Sequence, residues 1–181
     1  MSDPDLSLHA RSGLPEALRV LVEEIPRDAW QAHPDFGGLV AFWLERHLLF
    51  RRLLATLEAD VQALIDGQIP FEVYAPRLSR LGGLLVNELH GHHQIEDQHY
   101  FPLLARFDPR IGAGFDLLDA DHQALDGLLN DMATAANAAL AGGAPGRLAD
   151  HLDGFGRMLH RHLEDEEEIV VPVILKTGFG G

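Results

Sequence analysis

The chain has 181 residues, of which 46% are hydrophobic, and this is enough apolar material for one well-packed domain. Its net charge of −14 argues against nucleic acid and anionic membranes as partners, because both attract basic patches. The chain contains no cysteine, which excludes thiolate metal sites, iron–sulfur clusters, disulfides and cysteine nucleophiles.

Residues 1–34 differ from the rest of the chain. They open with Met-Ser-Asp-Pro-Asp-Leu-Ser, which lacks the basic start and apolar core of a signal peptide, and no stretch of the chain reaches the ~18 apolar residues of a membrane span. We therefore expect a cytoplasmic protein.

From Pro15 to Ile25 the apolar residues have the spacing of a short amphipathic helix. Residues 1–34 are predicted to form a helical N-terminal arm that straps over the main domain, acts as a lid or makes a dimer contact.

Three turn signals divide the remainder into four long segments. They are Gly67–Pro70, Asp108-Pro109 and Gly142–Pro145. Within each segment the apolar residues recur at steps of three and four, which is typical of the buried seam of a helix packed nearly parallel to others. Short connections favour antiparallel neighbours. The prediction is an all-α fold, an up-down-up-down four-helix bundle over residues 35–176, with the helical arm before it and a tail, 177–181, after it.

Polar residues interrupt these seams. The chain has eleven histidines, and four of them lie on the seams with two glutamates. This set, called the polar layer below, is His47, His92, Glu96, His122, His162 and Glu166. Each buried polar group without a partner costs ~1–3 kcal/mol, so the six must pair with one another or bind a cation. Imidazole and carboxylate ligands without thiolate suit iron, manganese or zinc.

The positions of the turns indicate that the six side chains lie at one height. In an antiparallel hairpin, residues equidistant from the turn are level with each other. The midpoints between the polar positions of successive segments fall at Pro70, Asp108 and Gly143, which belong to the three turn signals. Scattered core histidines would have no reason to follow this rule.

A repeated motif supports the choice of residues. The pattern H-x-H-x-x-x-E-x-x-x-x-x-P runs from His90 to Pro102 and recurs from His160 to Pro172. Both copies contain a histidine and a glutamate spaced i, i+4, which places the two side chains on one side of a helix. These are the pairs His92/Glu96 and His162/Glu166.

Two other pairs have the same spacing but are not repeated. His93 with Asp97 occurs only in the first copy, and His160 with Glu164 only in the second. We therefore interpret His93 and His160, together with His90, as lying off the seams.

The residues around Glu96 and Glu166 leave one alternative open. The acidic run Glu164–Glu168, apart from Glu166 itself, is interpreted as a solvated helix face. His99 lies on the predicted seam one turn beyond Glu96, so it is a candidate seventh ligand or a hydrogen-bond donor to a ligand.

The doubled H-x-x-x-E, each followed by a proline and each preceded by a helix with one histidine, resembles the hemerythrin-like family (hemerythrin HHE cation-binding domain). The resemblance covers about residues 35–176. It implies a non-haem di-iron centre, two iron ions as Fe²⁺ or Fe³⁺ with an oxo or hydroxo bridge, that binds dioxygen or related small ligands. The implied ligands are, for one iron, His47 and His92, for the other, His122 and His162, and as bridges, Glu96 and Glu166.

The chain departs from the oxygen-carrying hemerythrins in two ways. Those proteins have two histidines four residues apart on the third helix, whereas here His122 is followed at that spacing by Asp126. They also carry a histidine and a more distant aspartate on the fourth helix, where this chain has H-x-x-x-E. Both differences argue against reversible oxygen carriage, and they leave open whether Asp126 is a ligand.

The functional prediction is a metal-binding protein that binds or senses dioxygen, nitric oxide or peroxide. No second set of acid–base or nucleophilic groups and no cofactor loop stands out in the sequence, so a binding role is favoured over an enzyme. The alternatives are a di-iron enzyme for peroxide removal or oxidase chemistry, and a protein of iron handling or repair. A protein partner that reads the state of the metal centre is compatible with each.

Overall fold

A computed structural model describes residues 6–180; residues 1–5 of the predicted arm and Gly181 of the predicted tail lie outside the described residues. The described residues form helices and no strand, which confirms the all-α prediction. The α-helices are α1 Val20–Glu24, α2 Gly38–Ile65, α3 Phe71–Ile95, α4 Phe101–Leu104, α5 Gly112–Leu140 and α6 Pro145–Thr177. Short 3-10 turns cover Glu16–Leu18, Arg27–Ala32 and Pro109–Ile111, and a π-helical turn, Glu96–Tyr100, joins α3 to α4.

The breaks between the long helices fall at the predicted turn signals. Gly67 and Gly142 have φ angles of 69° and 91°, a left-handed conformation that glycine adopts at little cost just after a helix. Pro145 occupies the first position of α6, where its fixed φ suits the helix and its missing N–H is not needed.

The long helices pack around two apolar clusters. Helix α2 contacts α3 and α6, and α5 contacts the same two helices. One cluster contains Phe50, Leu89, Leu125 and Leu159. The other contains Trp43, Phe101, Leu118 and Ile169. The residues of the polar layer lie between these two sets along each of the helices, so apolar side chains enclose the layer from both ends.

The N-terminal arm packs against the second cluster. The single helix predicted from Pro15 to Ile25 is instead a 3-10 turn followed by the short helix α1, which contacts α6. The arm buries Leu14, Leu18, Leu21, Val22 and Trp30.

The predicted seam beyond Glu96 is wrong. The predicted seam passes through His99, but His99 is exposed, and the next buried residues are Phe101 and Leu104. The reason is the π-helical turn, in which one extra residue enters the helix and shifts the following side chains by about 100° around the axis. His99 is therefore turned away from the polar layer.

None of the helices within residues 6–180 combines the length and apolar character needed to cross a bilayer.

Candidate metal centre

The structure brings all six side chains of the polar layer together. On one side, His47 Nε2 lies 3.2 Å from His92 Nε2 and 3.2 Å from Glu166 Oε1. His92 Nε2 lies 2.8 Å from Glu96 Oε1. We call this side, with His47 and His92, the α2/α3 half of the centre.

The opposite side, the α5/α6 half, contains His122 and His162. His122 Nε2 lies 3.5 Å from Glu96 Oε2, and His162 Nε2 lies 3.2 Å from Glu166 Oε2. Each glutamate therefore faces one histidine of each half through different oxygens, as a bridging carboxylate would.

The layer is shielded from solvent. His47, His162 and Glu166 have no exposed surface, and Glu96 is 1% exposed. His92 is the most accessible member, with 9% of its side chain exposed.

Many of the facing atoms meet without forming hydrogen bonds. Nine buried side-chain N or O atoms in the described residues lack a hydrogen-bond partner, and seven of them lie in or beside the polar layer. These seven are both oxygens of Glu96, Oε2 of Glu166, Nε2 of His122 and His162, and both ring nitrogens of His93. Acceptor atoms that converge at 3 Å or so without a shared hydrogen repel one another, whereas a cation between them would satisfy them all. These carboxylate oxygens and imidazole nitrogens thus fit a bound metal.

The electrostatics of the two glutamates lead to the same conclusion. Burial, and next the charge of Glu166, raise the pKa of Glu96 well above its ordinary value. Burial would also raise the pKa of Glu166, but His47 and His162 outweigh it and hold that pKa well below the ordinary value. Without a cation, two buried carboxylates with oxygens within 4.8 Å of each other do not both ionise readily. A divalent ion would remove the conflict by favouring both anions.

Three further carboxylates hold the outer nitrogens of the histidines. His47 Nδ1 lies 2.9 Å from Glu167, His122 Nδ1 lies 2.7 Å from Asp97, and His162 Nδ1 lies 3.2 Å from Asp121. Because an ionised carboxylate only accepts hydrogen bonds, each Nδ1 donates its hydrogen outward, which leaves Nε2 as the nitrogen that faces the centre and is available to a metal. This is the tautomer that a metal-binding imidazole requires.

These carboxylates follow a rule around the layer. Each one is adjacent in sequence to a member of the polar layer, and each contacts a histidine of the polar layer on a neighbouring helix. Thus Asp97 of the π-helical turn reaches His122 of α5, and Asp121 of α5 reaches His162 of α6. The sequence signal that could have found them is an acidic residue directly beside a predicted ligand.

The predicted solvated face of α6 is wrong at two positions. Asp165 and Glu167 are buried, although Glu164 is exposed as predicted. Arg27 Nη1 lies 2.5 Å and Arg51 Nη1 lies 2.8 Å from Glu167. Burial raises the pKa of Glu167, but His47 and then these arginines lower it to about 2 overall. The face is buried because the N-terminal arm covers it, which helix periodicity alone does not indicate.

The arm also supplies a buried arginine. Arg11 donates from Nη1 to Asp121 Oδ1 at 2.8 Å, from Nη2 to the other oxygen of Asp121, and from Nε to Asp165 at 2.8 Å. The Arg11 side chain is only 3% exposed. Since Asp121 holds His162, the arm is linked to the polar layer through one carboxylate.

The indole of Trp43 forms a direct contact with the centre from α2. Its Nε1 donates to Glu166 Oε1, the same oxygen that faces His47. Trp43 is 2% exposed and also packs edge-on against Tyr100 and His92.

His93 differs from expectation, whereas His90 does not. His93, placed off the seam from its sequence, is 2% exposed and lies beside His122 and His162. The prediction failed because α3 faces both α2 and α5, so that two adjacent residues are buried. His90 is exposed as predicted, and its Nδ1 lies 3.6 Å from Asp126, which is 43% exposed and outside the polar layer.

The ligand atoms form two groups in which all members lie within 4.8 Å of one another. The first is His47, His92, Glu96 and Glu166, and the second is His93, His122 and His162. The sequence model of a protein family, the hemerythrin HHE cation-binding domain, matches residues 38–174. The chain belongs to this hemerythrin HHE family. The match confirms the family predicted from the repeated motif; it includes the whole polar layer and leaves out the N-terminal arm. No curated protein and no solved structure matches this HHE protein.

Proposed function

We propose that this HHE protein holds two iron ions in the polar layer and uses them to bind dioxygen, nitric oxide or peroxide. His47 and His92 would bind one ion, His122 and His162 the other, and Glu96 and Glu166 would bridge them. The observation that carries the proposal is the convergence of buried lone pairs that have no hydrogen-bond partner among the described residues. Bound iron would supply open coordination positions and reversible redox chemistry.

The order of apolar residues supports an antiparallel four-helix bundle as the frame of this site. Along α2 and α5 the chain passes from the second apolar cluster to the first, from Trp43 to Phe50 and from Leu118 to Leu125. Along α6 it passes the opposite way, from Leu159 to Ile169. Alternating directions allow ligands from four helices to meet at mid-height.

A groove between α2 and α3 supports a small external ligand. It has a volume of about 550 Å³, and its inner wall includes His92 and Glu96. Trp43 and Tyr100 line it, and at its outer edge Arg46 forms an ion pair with Glu88. A ligand entering here reaches the α2/α3 half first, and the aromatic walls limit the water that enters with it.

Binding or sensing is favoured over turnover because the carboxylates that surround the proposed ligands are already engaged by the histidines. The outer nitrogens of His47, His122 and His162 are held by carboxylates. Of these carboxylates, Glu167 and Asp121 in turn accept hydrogen bonds from Arg51 and Arg11. A general acid or base would need a titratable group free to move a proton at the ligand. Besides His92 and Glu96, the described side chains that line the groove are those of Phe42, Trp43, Asn87, Ile95 and Tyr100 and the Arg46–Glu88 ion pair.

The first test is the metal content of the purified protein. Anaerobic reconstitution with Fe²⁺ should load about two ions per chain, and the ferric form should show near-ultraviolet and visible absorption that changes with azide. His162→Ala should lose much of the iron, while the matched variant His151→Ala, at a partly exposed position on the same helix, should keep it. Equal iron content in the two variants would contradict the ligand assignment, and zinc or manganese in place of iron would contradict the choice of metal.

The second test separates a binder from an enzyme. Hydrogen peroxide consumption by the iron-loaded protein is compared with that of Glu96→Ala and of iron-free protein. We expect stoichiometric reaction or ligand binding without sustained turnover. Sustained consumption that requires both iron and Glu96 would instead favour the di-iron enzyme.

A further inference from the structure

His92 and His93 are adjacent on α3 but face opposite halves of the centre. The His92 ring lies 5.3 Å from the ring of His47 in the α2/α3 half. The His93 ring lies 3.9 Å from that of His122 and 5.4 Å from that of His162, both in the α5/α6 half. Helix α3 therefore directs one imidazole to each side.

A purely structural role does not account for His93. Its side chain is buried, and neither ring nitrogen has a hydrogen-bond partner in the described residues. Each such group costs ~1–3 kcal/mol, and a phenylalanine or leucine would fill the same space without that cost. The stacking of His93 on His122 uses the ring faces, with an angle of 12° between the two planes, so the His93 ring has to rotate for both in-plane lone pairs to meet at one ion.

Among the described residues, the α5/α6 half has no other unused imidazole within reach. On α5, the residue one turn beyond His122 is Asp126, which is 43% exposed and lies near His90. A ring nitrogen of His93, in contrast, is within 4.8 Å of ligand atoms of both His122 and His162.

We propose that His93 is a third imidazole ligand of the α5/α6 ion. The centre is then asymmetric, with two histidines in the α2/α3 half and three in the α5/α6 half, and helix α3 contributes to both. This inference rests on the proposed two-metal function and adds a ligand that the repeated motif does not contain, since Leu163 occupies the corresponding position in the second copy.

The test compares His93→Phe and His93→Ala with wild-type protein and with His90→Ala. Phenylalanine keeps a ring to stack on His122 and fills the space, but offers no nitrogen. Each protein is titrated anaerobically with Fe²⁺ against a chromophoric chelator, and folding is checked by circular dichroism before metal is added. Wild-type protein and His90→Ala should bind two ions. Both His93 variants should keep one ion and bind the other at least ~10-fold more weakly.

Added imidazole provides a second readout. It should restore the second ion in His93→Ala, where a cavity can accept the free ring, and have no effect in His93→Phe, where that space is filled. Two ions bound to His93→Phe with wild-type affinity would overturn the proposal for His93 alone. Wild-type protein that binds no iron would overturn the proposed function together with it, so the two failures are distinguishable.

Discussion

Arg11 in the N-terminal arm forms a two-pronged hydrogen-bonded ion pair with Asp121, the carboxylate that holds the outer nitrogen of His162. Both side chains are at most 3% exposed, so the pair is sealed from water. Burial would raise the pKa of Asp121, but His162 and Arg11 lower it overall, which keeps the carboxylate ionised. A segment outside the family match thus contributes to the geometry of the centre.

Arg11→Ala should weaken iron binding. Loss of the outer partner of a metal-binding histidine typically costs about 10- to 100-fold in affinity. Because Arg11 holds that partner, Asp121, and does not touch His162, its loss should cost no more than this. It should also destabilise the fold by about 3–5 kcal/mol, because Asp121 and Asp165 remain buried with one cation fewer. The measurements are Fe²⁺ affinity below the unfolding temperature and urea unfolding of the metal-free protein. Arg19→Ala, which removes a half-exposed arginine of the same arm, is the control and should change neither. Unchanged affinity in Arg11→Ala would show that the arm covers the centre without tuning it.

The hydrogen bond from Trp43 to Glu166 should affect the centre itself. Trp43→Phe removes the only indole that donates to the polar layer among the described residues. We expect two irons to remain bound, with a shifted ferric absorption spectrum, since Glu166 Oε1 loses its donor. Trp30→Phe is a matched control, because Trp30 donates to the backbone carbonyl of Ile25 and lies outside the layer. Both variants should be less stable than wild type by about 1–3 kcal/mol, but only Trp43→Phe should change the spectrum.

The positions of the polar layer could be predicted from the sequence for a simple reason. An i, i+4 spacing places two side chains on one helix face, and short turns fix the relative height of neighbouring helices. Together they determine the positions of the four histidines, namely His47, His92, His122 and His162. The prediction of His99 failed where helical periodicity itself changed. A π-helical turn begins at Glu96, whereas α6 continues as an α-helix past Glu166. The two motif copies have the same residue spacing, so the sequence pattern does not reveal this difference.

Tertiary packing accounts for the other differences. Glu167 and Asp165 are charged and belong to an acidic run, so periodicity with polarity predicts exposure. They are buried because arginines from other segments approach them, namely Arg27 and Arg11 from the arm. The burial of His93 is not predicted when α3 is assumed to have a single buried seam. His93 is buried because α3 also contacts a second helix, α5.

Asp108 predicts a measurable acid sensitivity. Hydrogen bonds from Arg110, with its charge and that of Lys176, lower the pKa of Asp108 to about 2, below its ordinary value of 3.8. A lowered pKa means that this contribution to stability is fully present above pH 3.8 and is lost as the pH falls through about 2. A double-mutant cycle with Asp108→Asn and Arg110→Ala, measured by urea unfolding at pH 5 and again at low pH, should give a coupling energy that shrinks with acid. A coupling that is constant across this range would contradict the assignment.

Two glycines of α6 should respond in opposite ways to alanine. At Gly156, an added Cβ would lie 2.9 Å from Glu58 Oε1 and 3.0 Å from Leu54 Cδ2, and Leu54 is fully buried. At Gly154, no atom of the described residues lies within 4 Å of that position, apart from the neighbouring residues and backbone of α6 itself. Alanine favours a helix over glycine by about 1 kcal/mol, so Gly154→Ala should raise the free energy of unfolding by roughly that amount. Gly156→Ala has the same helix preference, but the crowding of α6 against α2 costs about 1–3 kcal/mol and should lower the free energy of unfolding. Urea unfolding of the two variants measures both values, and an equal gain would mean that α2 can move away from α6 without cost.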